Sequence, residues 1–221
     1  MQRITAGKPM EQMAMNPLDY EMRLWQEGFT HVAGIDEAGR GALVGSVVAA
    51  AVVLTPGTFI EGVRDSKVLS PKKREELYEV ITDTALAWGV GIVDETMIDK
   101  INIRQATRLA MKLAVEDLNV QVDHLLVDAE TVPVSIPQTK LVHGDALSHS
   151  ISCASIIAKV TRDRMCRLWH ERFPSYGILA NKGYCTAEHV RTLLEHGPSP
   201  IHRKSFIRKI LQKNANLTID F

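Results

Sequence analysis

Three apolar runs in this chain end on an acid, and that pattern limits the available folds more than any other feature. Asp36 and Glu37 follow Val32-Ala-Gly-Ile35, Asp128 follows Leu125-Leu-Val127, and Asp145 follows Leu141-Val-His-Gly144. Short apolar runs bounded by turn residues read as buried strands. A carboxylate at the end of such a strand is poorly placed to reach bulk water and needs a partner or a cation. Several acids converging from neighbouring strands repel one another at neutral pH unless a divalent metal holds them. All-oxygen ligands favour Mg²⁺ or Mn²⁺, and two such ions can clamp the attacking and leaving oxygens of a phosphodiester. Taken singly, each acid reads more readily as a turn residue or a helix cap than as a ligand. Four together carry more weight, but their spacing names no substrate.

The rest of the chain alternates strand-like and helical stretches. Strands are expected at Val32–Asp36, Val47–Leu54, Trp88–Val93, His124–Val127 and Thr139–Val142. A short N-terminal helix is expected from Pro17 to Glu27, with Asn16 as its cap, Gly28 as its stop and Leu18, Met22 and Trp25 as its apolar stripe. Further helices open at Ser70-Pro71, run from Ile103 to Leu118 and from Ser148 to about His170, and start after Thr186, the last being closed by Gly197-Pro198. Strands mixed with helices imply an α/β fold, one sheet flanked by helices. The expected division is an N-terminal extension at 1–29, a main unit at 30–209 with a helical C-terminal part, and a tail at 210–221 that is either disordered or docks a partner.

The formal net charge is zero, which alone argues against a dedicated nucleic-acid binder. The charges are unevenly spread, however. Residues 1–150 carry 14 Lys/Arg against 21 Asp/Glu, and residues 151–213 carry 12 against 4. An acidic part that holds cations and a basic part that holds phosphates fit together. The three cysteines, Cys153, Cys166 and Cys185, form no CxxC pair, so neither a zinc site nor a disulfide framework is expected, and a reducing cytoplasm is the expected setting. No signal-peptide core opens the sequence, and the longest apolar run is too short to span a bilayer, so no membrane contact is expected.

Gly39-Arg40-Gly41, with Gly45 close behind, does not follow the dinucleotide-binding spacing. Glycines here let the backbone come close to a ligand and offer it amide donors, or they make a tight turn between strands.

Several separated blocks together resemble the ribonuclease HII (type 2 ribonuclease H) family. They are Gly34-Ile-Asp-Glu-Ala-Gly-Arg-Gly41, Asp65-Ser-Lys67, Val127-Asp128, Gly144-Asp145, Ala154-Ser-Ile-Ile-Ala-Lys-Val-Thr-Arg-Asp163, Asn181-Lys-Gly-Tyr184 and Pro200-Ile-His-Arg-Lys-Ser-Phe206. The resemblance spans roughly residues 31–206. It implies a ribonuclease H-like fold, a central mixed sheet with helices on both sides and a helical C-terminal part. It also implies an endonuclease that cuts the RNA strand of RNA/DNA hybrids and nicks duplex DNA at embedded ribonucleotides, leaving 5′-phosphate and 3′-hydroxyl ends. By the same resemblance Asp36, Glu37, Asp128 and Asp145 are the catalytic, metal-binding carboxylates, holding Mg²⁺ or Mn²⁺, two ions with substrate bound. Gly39-Arg40-Gly41 is then the loop that senses the ribose 2′-hydroxyl. Lys67 joins the substrate-binding set, and Tyr184 packs against the sugar at the RNA-to-DNA junction. A monomer is expected. Ala42 and Ser46 stand where the family often has proline. Ala129-Glu130 stands where it commonly has glycine, and Glu130 places an extra acid beside the metal ligands.

Lys67, Lys159, Arg162, His202, Arg203 and Lys204 are candidates for backbone phosphate contacts, about half of them expected only to solvate helix faces. Two other readings remain open: another nuclease or strand transferase on the same fold, and a non-catalytic hybrid-binding protein, which would be expected to lack one of the acids.

Overall fold

A computed structural model describes residues 16–217. The elements in order are α1 (Asp19–Gln26), β1 (Val32–Ala38), β2 (Val47–Val53), α2 (Pro71–Thr84), β3 (Ala87–Val93), α3 (Glu95–Ile101), α4 (Ile103–Glu116), β4 (His124–Asp128), β5 (Gln138–Leu141), α5 (Gly144–Leu147), α6 (His149–Arg172), α7 (Ile178–Asn181), α8 (Ala187–His196) and α9 (Lys204–Leu217). The five strands form one mixed sheet in the order β3-β2-β1-β4-β5. β1 pairs antiparallel with β2 and parallel with β4, so it lies at the centre.

The pleat divides β1 between two cores. Ala33 and Ile35 join Ala49, Leu125 and Val127 on the face covered by α4 through Ala106, Ala110, Met111 and Ala114. On the other face Ala50 and Val52 of β2 pack with Cys153, Ala154 and Ile157 of α6 and with Leu77 and Ile81 of α2. β2 is buried along its whole length, which is why its sequence is a continuous apolar run with no alternation. β1 and α6 approach unusually closely at Gly34. A Cβ there would lie 2.2 Å from the Ser150 carbonyl carbon and 2.3 Å from the Ile151 nitrogen.

Local signals set the helix starts. Ser70 accepts from the Lys73 amide and Ser148 from the Ile151 amide, and Pro71 occupies the first turn of α2. Thr186 accepts from the His189 amide, and Gly197 ends α8 at φ +74°.

The N-terminal helix is shorter than expected. Asn16 does not cap it, but accepts from the Leu18 amide through Oδ1 and from the Asp19 amide through its carbonyl, forming a lead-in turn. Its buried face is Leu18, Glu21 and Leu24, whereas Met22 is 39 % exposed. Glu21, a charged residue only 1 % exposed, explains this choice of face. Its Oε1 accepts from Ser148 Oγ (2.6 Å), the Ser150 amide (2.9 Å) and Ser150 Oγ (2.6 Å). A carboxylate is thereby set on the N-terminus of the longest helix, where amide donors and the helix dipole both favour it. Glu21→Ala is expected to lower stability by about 2–3 kcal/mol, and Glu21→Gln, which keeps an acceptor, by less. Urea unfolding midpoints check this, and equal midpoints for wild type and Glu21→Ala would remove the latch.

Helices α3 and α9 are not among the helices expected from the sequence. α3 opens on Asp94, which accepts from the Met97 amide. α9 continues through residue 217, across the expected tail boundary at 210, and residues 218–221 of that tail lie outside the described residues. The first amides of α9, Lys204 and Ser205, donate to Asp99 of α3 at 2.7 and 2.9 Å. Its cap therefore comes from more than 100 residues away, where no local pattern could reveal it. Ile207 packs with Leu43, Val44, Ile178 and Leu193 in a core of its own.

Candidate active site

Strand pairing brings the first acids together. β1 and β4 run parallel with Ile35 opposite Val127, so the next residues, Asp36 and Asp128, fall side by side on one face. That face is the α6 side. Burial, followed by the negative charges of Glu37 and Asp128, pushes the Asp36 carboxyl well above the ordinary carboxylate range. The Glu37 amide (2.7 Å) donates to Asp36 and partly offsets this. Glu37 is also raised, chiefly by burial, with Arg40 working against the shift. Asp128 is raised by burial and accepts from the Gly144 amide at 2.7 Å. That bond draws in the first residue of α5, and Asp145, the next residue, is 5 % exposed. Lys67 Nζ lies 2.8 Å from Asp145 Oδ2 and 3.8 Å from Asp65 Oδ1. Burial opposes the lysine's charge, but Asp145, Asp65 and Asp36 outweigh it and hold Lys67 above its usual range.

Most of these groups face a cleft of about 230 Å³. Asp36, Glu37, Gly39, Arg40, Gly41, Lys67, Asp128 and Tyr184 all line it, joined by Lys159 and Ser155. Of the residues singled out from the sequence as the site, only Asp145 is not on its wall; it is tied in through Lys67. Ser155, which bonds Ser66 Oγ at 2.7 Å, had no separate signal beyond its place in the Ala154–Asp163 block.

Among the described residues no three acids, histidines or cysteines are already closed into an ion cage. The donor set nevertheless suits a hard divalent cation. It consists of carboxylate oxygens, and Glu37 Oε2 is buried with no hydrogen-bond partner among the described residues. A buried lone-pair donor without a partner is costly and calls for a positive group. Arg40 reaches only the other oxygen, Oε1, at 3.4 Å.

Glu130 is differently placed. It is 4 % exposed and bonds Arg104 Nε at 3.0 Å and Arg108 Nε at 2.9 Å, with Arg40 Nη2 at 3.7 Å. Although burial opposes its charge, the arginines hold it below its ordinary range. Its lone pairs are committed to guanidinium groups. Ala129 before it has φ +48°, a left-handed backbone that explains why glycine suits this position.

Of the six phosphate-contact candidates, Arg162 and Arg203 are fully buried and His202 is 2 % exposed. They therefore face the interior, not a nucleic-acid backbone. Lys159 lies on the cleft wall, 2.6 Å from Asp163, and Lys204 and Lys67 are exposed. Tyr184, 40 % exposed, has its ring beside the glycine loop; a Cβ on Gly41 would lie 3.9 Å from Tyr184 Cε1. A histidine relay holds its backbone. The Ser199 amide donates to His202 Nδ1, which leaves Nε2–H to donate to His189 Nε2 at 3.2 Å, and His189 Nδ1–H then donates to the Tyr184 carbonyl at 3.0 Å.

A family model described as Ribonuclease HII matches residues 33–209. The chain belongs to the ribonuclease HII family. It is 54% identical over 204 residues to the Ribonuclease HII of Alkaliphilus metalliredigens, covering 90% of this chain and 100% of that one. The crystal structure of ribonuclease H2 from Pyrococcus horikoshii is similar at TM-score 0.71 and 27% identity, over 83% of this chain and 98% of that one. A Bst-RNase HIII crystallised in complex with Mn²⁺ shares the fold at TM-score 0.68 and 16% identity, over 85% of this chain and 70% of that one. The mixed sheet with flanking helices is thus the ribonuclease H-like fold expected from the resemblance. As a ribonuclease HII, the chain is a hydrolase, an endonuclease that degrades the RNA of RNA/DNA hybrids, which rules out a non-catalytic binding protein. No helix among the described residues is long and apolar enough to cross a membrane.

Proposed function

We propose that Asp36, Glu37, Asp128 and Asp145 hold Mg²⁺ or Mn²⁺, two ions when substrate is bound, and that this centre cuts on the 5′ side of the phosphate-bearing nucleotide to leave 5′-phosphate and 3′-hydroxyl ends. The observation that carries the reading is the placement of buried Asp36 beside Asp128, one position beyond the paired Ile35 and Val127 of the parallel strands, next to the unpartnered Glu37 Oε2. When bound, the ions activate the attacking water and stabilise charge on the departing 3′ oxygen. The chain's own residues do the rest. Lys67, bonded to Asp145, offers its remaining N–H donors to a backbone phosphate at the mouth of the cleft. The amides of Gly39-Arg40-Gly41 meet the 2′-hydroxyl, and the Tyr184 ring packs on the sugar next to it. The substrates are RNA/DNA hybrid and duplex DNA carrying a ribonucleotide. The proposed acting form is a monomer, and three cysteines with no disulfide among them support a cytoplasmic setting. The catalytic unit we place at residues 30–209, supported by the family match.

The test is a DNA duplex with one ribonucleotide in one strand, offered with Mg²⁺ or Mn²⁺. Cutting at that nucleotide is expected. Equal cutting of the all-DNA duplex would sink the specificity reading and favour a general nuclease on the same fold.

A further inference from the structure

Arg162 and Arg203 are the two largest fully buried side chains, and both meet carbonyl oxygens where a carboxylate would be expected. Arg203 donates from Nε to Gly45 O (2.8 Å), from Nη1 to Arg40 O (3.0 Å) and from Nη2 to Gly39 O (2.9 Å). Arg162 donates from Nε to Ser46 O (3.2 Å), from Nη2 to Val44 O (3.3 Å) and from Nη1 to Lys182 O (2.9 Å). Burying an unpaired guanidinium is costly, and a planar fork is the donor that can hold several fixed acceptors at once. Stability alone gives no reason to spend two such cations on one loop.

The geometry supplies one. Every peptide bond in the described chain is trans, so each amide points opposite to the carbonyl of the same peptide plane. Arg203 draws the Gly39 and Arg40 carbonyls inward, and the amides of Arg40 and Gly41 are thereby turned away from it, towards the cleft that these residues line. Arg162 completes the arrangement from the other side. Its guanidinium fixes Lys182 two residues before Tyr184, with its Cζ 5.6 Å from the Tyr184 ring centroid. Gly39 has to lack a side chain for this, since a Cβ there would fall 1.9 Å from Arg162 Nε.

We infer that Arg162 and Arg203 are positioning residues for ribose selection: from inside the protein they set the amide direction of the glycine loop and its separation from Tyr184. This rests on the proposed role of that loop and of Tyr184. The two claims come apart in one experiment. Single-turnover kcat/KM is measured on a duplex whose one modified nucleotide carries a 2′-hydroxyl or a 2′-fluoro group, for wild type, Arg203→Lys and Arg162→Lys. Lysine keeps the charge but not the fork. If wild type does not distinguish the two duplexes, the loop reading fails. If wild type does, the lysine variants are expected to melt as cooperative folds and to lose at least tenfold of the 2′-hydroxyl to 2′-fluoro ratio, mainly in kcat. Folded variants that keep the wild-type ratio overturn the inference. Failure of both variants to fold overturns it as well, because the arginines would then hold the fold and not the loop.

Discussion

Asp36→Asn is expected to cut hybrid cleavage by at least about 10³-fold, the scale of loss when one member of a catalytic set is removed, while making the protein more stable. Both effects follow from one placement. Asp36 is 4 % exposed, and burial with the charges of Glu37 and Asp128 raises its carboxyl well above the ordinary range. Raised folded-state proton affinity sets the sign. The stability this group contributes is full below the unfolded carboxylate pKa and is lost as pH rises through the folded one, so at neutral pH its charge works against folding. A neutral isostere removes that penalty, and a gain of about 0.5–2 kcal/mol is expected, the usual span for a single stabilising substitution. For a chain of this size that is about 2–4 °C of melting temperature per kcal/mol. Wild type should also gain thermal stability on addition of Mn²⁺ or Mg²⁺, and Asp36→Asn should gain less. Hybrid binding without cleavage separates this outcome from unfolding. A variant that still cuts, or one that melts below wild type in the absence of metal, would remove Asp36 from the centre described.

Gly34→Ala is expected to be among the most damaging single methyl groups in the sheet, alongside Gly91→Ala, where a Cβ would lie 1.9 Å from the Ala110 carbonyl oxygen. At Gly34 the added carbon would sit 2.2 Å from the Ser150 carbonyl carbon, in the backbone of α6, and backbone cannot swing aside as a side chain can. Strand and helix have to part, at a cost of about 3 kcal/mol or more, the upper range of overpacking. Asp36, two residues further along the same face, moves with the strand, so activity should fall even where the variant folds. Gly57→Ala is the comparison. That glycine has φ +82° and nothing within 4 Å, so only backbone strain is added, about 1–2 kcal/mol. Denaturant midpoints for the two variants decide the matter, and equal losses would mean that the close approach is not holding β1.

What the sequence revealed and what it hid follow a physical division. β1, β2 and β4 were legible because burial forces apolar runs, and the acids stood out by interrupting them at their ends. The cleft was legible because the glycine loop adjoins one of those ends. The buried arginines were not. On α6, Arg162 looks like its neighbours Arg164 and Arg167, yet those two pair with Glu75 at the surface while Arg162 reaches carbonyls at Val44 and Ser46. Arg203 finds acceptors 158 to 164 positions away. Charge type is written locally, but whether a cation meets water, phosphate or a peptide carbonyl is decided by parts of the chain distant in sequence. The same holds for the packed face of α1, where Glu21 is explicable only once the start of α6 is opposite it, and for α9, whose cap is Asp99. Glu130 looked like one more acid near the ligands; it lies just after β4, and its partners, Arg104 and Arg108, are on α4.

Helix α6 touches four of the arrangements described: the Glu21 latch at its first turn, Gly34 beside it, Ser155 near Asp36, and Arg162 under the loop and Tyr184. At 24 residues it is a rod roughly 36 Å long, and a tilt of about 2° at one end displaces the other by roughly 1 Å. A shift of that size at a reacting centre can cost about 10²-fold in rate. Chemistry and selectivity are thus mounted on a common lever arm. Changes at its N-terminal anchor will be felt by both together, and tuning one alone requires substitutions off this rod.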